Sequence, residues 1–188
     1  HDHTGVHRTS GRIYKFFHQK NPVADLSIME NGFDDLEAII RHPNVWYFRQ
    51  FLQNLSVSSL TEIEKYSMIR ICELNFLGRH PTPIRLRAMW GLHAFNKTIS
   101  ETYLNDPNEH IRAWLIRLMM DDQPIDTLFG PREKELYTIK PELVQKLVQQ
   151  AIMDASGFVR LTLASALQRL PLESRGELAK SLAFRSED

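Results

Sequence analysis

From Asp34 to the C-terminus the apolar residues recur at every third or fourth position, and nowhere in that stretch do they alternate convincingly in twos. A spacing near 3.6 lines up side chains on one face of a helix, whereas a half-buried strand needs a period of two. The stripes are short and separate. They run Leu36, Ile39 and Ile40; Phe48, Phe51, Leu52 and Leu55; Leu60, Ile63, Ser67, Ile71, Leu74 and Leu77; then Ile84, Ala88, Leu92 and Phe95. A brief helix near Glu101–Leu104 precedes Ile111, Leu115, Leu118 and Met119. Leu143, Leu147, Val148 and Ile152 form the next stripe, then Val159, Leu163, Ala164 and Leu167, then a last helix from Leu172 to Leu182. Prolines such as Pro43, Pro81, Pro107, Pro141 and Pro171 lie between the stripes, where a missing N–H costs least. The pattern predicts an all-α body.

Helix starts carry their own chemistry. In Asp106-Pro107-Asn108-Glu109 the expected cap is Asp106, with Pro107 at the first helical position and Glu109 closing a capping box. Ser59 and Glu62 offer the same device for the long third helix, and Pro141 and Pro171 are placed to open helices. The first 20 residues read differently. Thr9-Ser10-Gly11-Arg12-Ile13-Tyr14-Lys15-Phe16-Phe17 predicts one β-strand, which has no partner in an all-α domain, and residues 18–33 read as a linker.

Four helices carry an apolar residue followed by Arg near their start: Phe48-Arg49, Leu86-Arg87, Ile111-Arg112 and Val159-Arg160. In the last two an Asp lies six residues earlier, Asp106 before Arg112 and Asp154 before Arg160. Stacked helix pairs would then bridge the Asp of one unit to the Arg of the next. Such a unit buries its apolar face only against its neighbours, so several occur together. The expected ladder comprises Asp106, Arg112, Asp154, Arg160, Arg49 and Arg87, incomplete in the first two copies because Pro43 and Pro81 stand where the Asp should be. This pattern resembles HEAT-type repeats, and the resemblance implies an α-solenoid (an α-α superhelix) of four to five helix pairs over residues 34–188.

The segments His42-Pro43-Asn44-Val45-Trp46-Tyr47, Arg85 to Ala94, Asp106 to Trp114 and Val159 to Leu172 are similar to a more specific family. It is the middle portion of exported bacterial membrane-bound dehydrogenase-domain proteins, also called haem-binding CxxCH proteins. In that family a β-propeller precedes HEAT-like repeats and a c-type cytochrome follows. The resemblance implies that residues 1–17, with His7-Arg8-Thr9-Ser10-Gly11-Arg12-Ile13-Tyr14-Lys15, are the last strand of a propeller. It also implies export to the periplasm or cell surface, with haem c or a quinone held elsewhere in a dehydrogenase parent. This sequence contains no CxxCH, so no cofactor is expected in the chain itself.

Composition narrows the remaining classes. The 188 residues hold 23 Lys plus Arg against 23 Asp plus Glu, and a net charge of zero argues against a general nucleic-acid binder. Cys72 stands alone, so neither an internal disulfide nor a cysteine-built zinc site is expected, and it reads as a buried thiol. No apolar run approaches the ~18 residues of a membrane span. The chain begins His1-Asp2-His3 without Met and is read as a fragment or a processed form.

Few residues point to chemistry. His1, Asp2, His3 and His7 form a compact set of metal-ligand candidates, and solvated imidazoles at a frayed end explain them better. His42, His80, His93 and His110 lie in different repeats without a base or nucleophile beside them, and are expected to be structural. Trp46, Trp90 and Trp114 stand at different offsets from the repeat Arg, so core packing is expected rather than one stacking column. Residues 121–140 interrupt the rhythm. Their Leu128, Phe129, Leu136 and Tyr137 either contact a protein or fold back over the core. The expected function is a non-catalytic scaffold with a protein partner, and a stand-alone adaptor is the alternative.

Overall fold

The structure, a computed structural model, describes residues 35–56, 58–125 and 139–184. Among the described residues it is all-helical: eight α-helices, two 3-10 helices and no strand. The helices are α1 (Leu36–Arg41), α2 (Val45–Leu55), α3 (Glu62–Leu77), α4 (Thr82–Ala94), α5 (Glu109–Met119), α6 (Pro141–Met153), α7 (Gly157–Ala166) and α8 (Leu172–Ala183). The 3-10 helices are Glu101–Asn105 and Leu167–Arg169. The strand expected over residues 9–17, the linker over 18–33, the candidate ligands His1, His3 and His7, and the insertion residues Leu128, Phe129, Leu136 and Tyr137 all lie outside the described residues.

Two helix starts differ from the sequence expectation. The long α3 is capped by Thr61, not Ser59: Glu64 N–H donates to Thr61 Oγ1, and Glu64 Oε2 accepts from the Thr61 N–H at 2.8 Å. Before α5 the cap is Asn108, whose Oδ1 accepts from the His110 N–H at 2.9 Å. Glu109 closes no box; its carboxylate accepts from the Ser156 hydroxyl instead. Asp106 is thereby left to another partner. Pro141 opens α6 at its first position, and Pro171 stands immediately before α8.

One line of contacts runs from α2 to α4 to α5 to α7, each helix packing on the next. A second joins α1 to α3 and α6 to α8, while α3 lies along α4 and α6 along α7. The 3-10 turn Glu101–Asn105 packs on α5, and Gln150 of α6 donates to its Leu104 carbonyl at 3.0 Å. The interior is one cluster that includes Leu36, Ile40, Phe48, Met89, Ile111, Ile116, Leu147 and Leu163. Burial of such side chains stabilises by about 1.5–3 kcal/mol each, as an upper estimate.

α3 turns a different face inward than its stripe predicts. Ile63, Leu74 and Leu77 are 81%, 61% and 63% exposed, while Met68, Cys72, Asn75 and Phe76 are buried. Apolar residues lie all round this helix, so period alone does not choose its buried side. The close approach of α4 chooses it: Gly91 lies over Cys72, and a Cβ there would come within 2.7 Å of the sulfur.

Candidate functional site

The turns before α5 and α7 are built alike, 48 residues apart. Asp106 and Asp154 are both buried. Asp106 Oδ1 accepts the Asn108 N–H at 2.9 Å, and Asp154 Oδ1 accepts the Ser156 N–H at 2.8 Å. Asn108 and Ser156 in turn cap α5 and α7. Six residues beyond each Asp, an Arg reaches back to the Asp backbone. Arg112 Nη1 donates to the Asp106 carbonyl and Arg160 Nη1 to the Asp154 carbonyl, both at 2.8 Å.

Each carboxylate also receives an arginine fork from a helix earlier in the chain. Arg85 of α4 donates Nη1 and Nη2 to Asp106 at 3.2 and 2.6 Å. Arg112 of α5 donates Nε and Nη2 to Asp154, both at 2.8 Å. A planar guanidinium matches a carboxylate in two parallel bonds, so the pair fixes orientation as well as distance. Gln150 adds a third donor to Asp154. Arg112 therefore holds its own turn by a carbonyl and the following turn by a carboxylate.

The titration of these groups follows from that geometry. Burial pushes the Asp106 carboxyl upward, but the bonds from Arg85 and the Asn108 N–H, with the charges of Arg85 and Arg112, outweigh it and leave the pKa lowered. Asp154 is likewise raised by burial and brought down further by Arg112, the Ser156 N–H and Gln150. The Arg112 pKa is raised, chiefly by its bond to Asp154.

The other two expected ladder residues sit elsewhere. Arg87 is buried and sends Nη1 to the carbonyls of Ile40, at 2.9 Å, and His42, tying α4 to the end of α1. Arg49 is exposed on α2 and supplies no carboxylate rung among the described residues. The residue of α4 that does pair with a carboxylate is Arg85, two positions before Arg87. Its signal was present in Ile84-Arg85-Leu86-Arg87, where Ile84-Arg85 and Leu86-Arg87 are both apolar-Arg pairs and the spacing rule favours the second. Sequence reading also missed Gln150, and Arg169, whose Nη1 donates to the carbonyls of Met120, Asp121 and Gln123 at 3.2, 3.1 and 2.6 Å.

Two of the three tryptophans meet. Trp90 of α4 and Trp114 of α5 lie 4.7 Å apart at 67°, and Phe48 of α2 is 6.3 Å from Trp90. Offsets of three and two from their respective arginines do not prevent contact, because adjacent helices are staggered. Trp46 is 39% exposed and touches Tyr47 instead. The line continues past Trp114. The Arg117 guanidinium sits 5.0 Å from the Trp114 ring and 5.6 Å from that of Phe158 in α7, whose other neighbour is His110.

The histidines are spread over turns and helix ends. His42 Nδ1 accepts the Asn44 N–H at 3.0 Å, and His93 Nε2 lies 3.1 Å from Asp121 Oδ2. Burial first, then the charge of Glu73, raises the Cys72 pKa to about 12. Among the described residues no group of three or more His, Cys, Asp or Glu is placed to hold a metal ion, and no helix is long and apolar enough to cross a membrane. Compared with family models, with curated proteins and with solved structures, the chain has no match in any of the three.

Proposed function

We propose that this chain is a non-catalytic scaffold built as a HEAT-like α-solenoid over residues 34–188, with a protein as its partner. The observation that carries the reading is the repeated turn: Asp106, Asn108 and Arg112 reappear as Asp154, Ser156 and Arg160 with the same hydrogen bonds, and Arg112 joins one set to the other. A shared device that spans the boundary between units is what a stack of repeats needs to keep a fixed curvature. The exposed Ile63, Tyr66, Leu74 and Leu77 of α3 give such a stack an apolar outer surface suited to a protein contact.

In this reading residues 1–17 close an upstream propeller and residues 18–33 link it to the solenoid. The solenoid then orients a dehydrogenase-like propeller towards a c-type cytochrome in one exported polypeptide, and haem or quinone belongs to those parts. Support for this larger assignment comes from the sequence resemblance. The alternative is a stand-alone adaptor for a separate protein or peptide. Sequencing the coding region on both sides of this stretch separates them. Propeller repeats upstream with CxxCH downstream support the linker, and flanks with neither leave the adaptor.

A further inference from the structure

A groove of about 250 Å³ lies between α5 and α7, lined by Trp114, Arg117, Asp121, Thr162, Ser165 and Arg169. Most of its polar lining is already engaged. Thr162 Oγ1 donates to the Phe158 carbonyl at 2.9 Å and Ser165 Oγ to the Leu161 carbonyl at 3.1 Å. Asp121 faces His93, and Arg169 is held by three backbone carbonyls. Arg117 differs. It is exposed, its guanidinium is held against two rings, and it has no carboxylate partner among the described residues.

We propose that this groove receives an acidic side chain, Asp or Glu, from a partner protein, and that Arg117 is the residue that binds it. Aromatic contacts hold the guanidinium in place, and a guanidinium offers N–H groups in its plane of which a carboxylate can take two at once. Holding the side chain beforehand lowers the entropy lost on binding. Tryptophan and arginine are also among the residue types enriched at the energetically important positions of protein contacts. A nucleic acid fits less well, because phosphate binding draws on several cations and the chain has zero net charge. The inference rests on the reading of this chain as an interaction scaffold and names one surface of it.

Panning a random dodecapeptide display library against the whole chain tests it. The expected outcome is enrichment of Asp and Glu among retained peptides, with the best synthetic peptide binding Arg117→Gln at least about tenfold more weakly, the loss of one charged hydrogen-bonded pair. Arg117→Lys should restore only part of the affinity, because an ammonium keeps the charge and loses the fork. Thermal melts of both variants verify that the exposed position tolerates the change. Peptides that bind wild type and Arg117→Gln equally overturn the site while leaving the scaffold reading on another surface. Failure to retain any peptide also overturns the site. Tighter Arg117-dependent binding of a single-stranded oligothymidylate overturns the assignment of a protein partner.

Discussion

Arg112 and Asp154 face each other across 42 residues of chain, with Nε–Oδ2 and Nη2–Oδ1 both at 2.8 Å. The Asp154 side chain is 1% exposed and that of Arg112 14%, so the pair is screened from water on the acid's side. A third arm of Arg112 holds the Asp106 carbonyl. One residue thus ties two turns together, and removing it strands a buried carboxylate.

Arg112→Ala should lower stability by about 1–3 kcal/mol, the cost of leaving buried hydrogen-bonding groups unmet. Arg112→Lys should recover little, since an ammonium cannot form both parallel bonds to Asp154 and still reach the Asp106 carbonyl. Urea denaturation followed by circular dichroism measures both. An unchanged midpoint for Arg112→Ala would remove the ladder from the energetics of this fold.

The two aspartates set the acid limit. Their folded pKa values lie below the unfolded one, so folding favours the ionised form. Their contribution is fully present above the unfolded value of about 3.9 and is lost as pH falls through the lower folded values. Melting temperature should therefore fall below about pH 4. Asp154→Asn should be less stable than wild type at pH 7, and the gap should narrow in that acid range. A gap that stays constant with pH would contradict the assignment.

At Gly91 two effects oppose each other. Alanine is favoured over glycine within a helix by about 0.5–1 kcal/mol. The added Cβ, however, would sit 2.7 Å from the fully buried Cys72 sulfur, and overpacking costs about 1–3 kcal/mol. Gly91→Ala should destabilise the wild-type background and stabilise the Cys72→Ala background. The same sign in both backgrounds would show that the sulfur is not what makes glycine necessary.

Cys72 itself should be inert in the folded state. Its thiol is buried and its pKa is raised to about 12, so almost no thiolate exists at pH 8. Alkylation by iodoacetamide should proceed only at the rate of unfolding. Rapid labelling under native conditions would place the sulfur at the surface.

The existence of the helices was legible in the sequence because the stripes repeat at about 3.6 residues and proline separates several of them. The buried side of α3 was not legible. Ile63 and Leu74 are as apolar as Met68 and Phe76, and packing on α1 and on α4, where Gly91 meets Cys72, decides between them. The Asp-to-Arg spacing of six recurs at the turns before α5 and α7, but it hides who pairs with whom. Within a turn the partner is a carbonyl, which sequence does not display, and the carboxylate's arginine comes from a helix 21 or 42 residues earlier in the chain. Arg85 escaped notice for that reason. Arg117 escaped because its partners are rings on two different helices, joined only when α5 and α7 pack.

The central claim is that the turns before α5 and α7 are held together through Arg112 and Asp154, and a double-mutant cycle measures that link directly. Arg112→Ala, Asp154→Ala and the double variant should be compared by equilibrium unfolding. The account predicts a coupling of about 1–3 kcal/mol, so that the double variant loses clearly less than the sum of the singles. Strict additivity would mean that the two residues act separately and that no coupling joins the two turns.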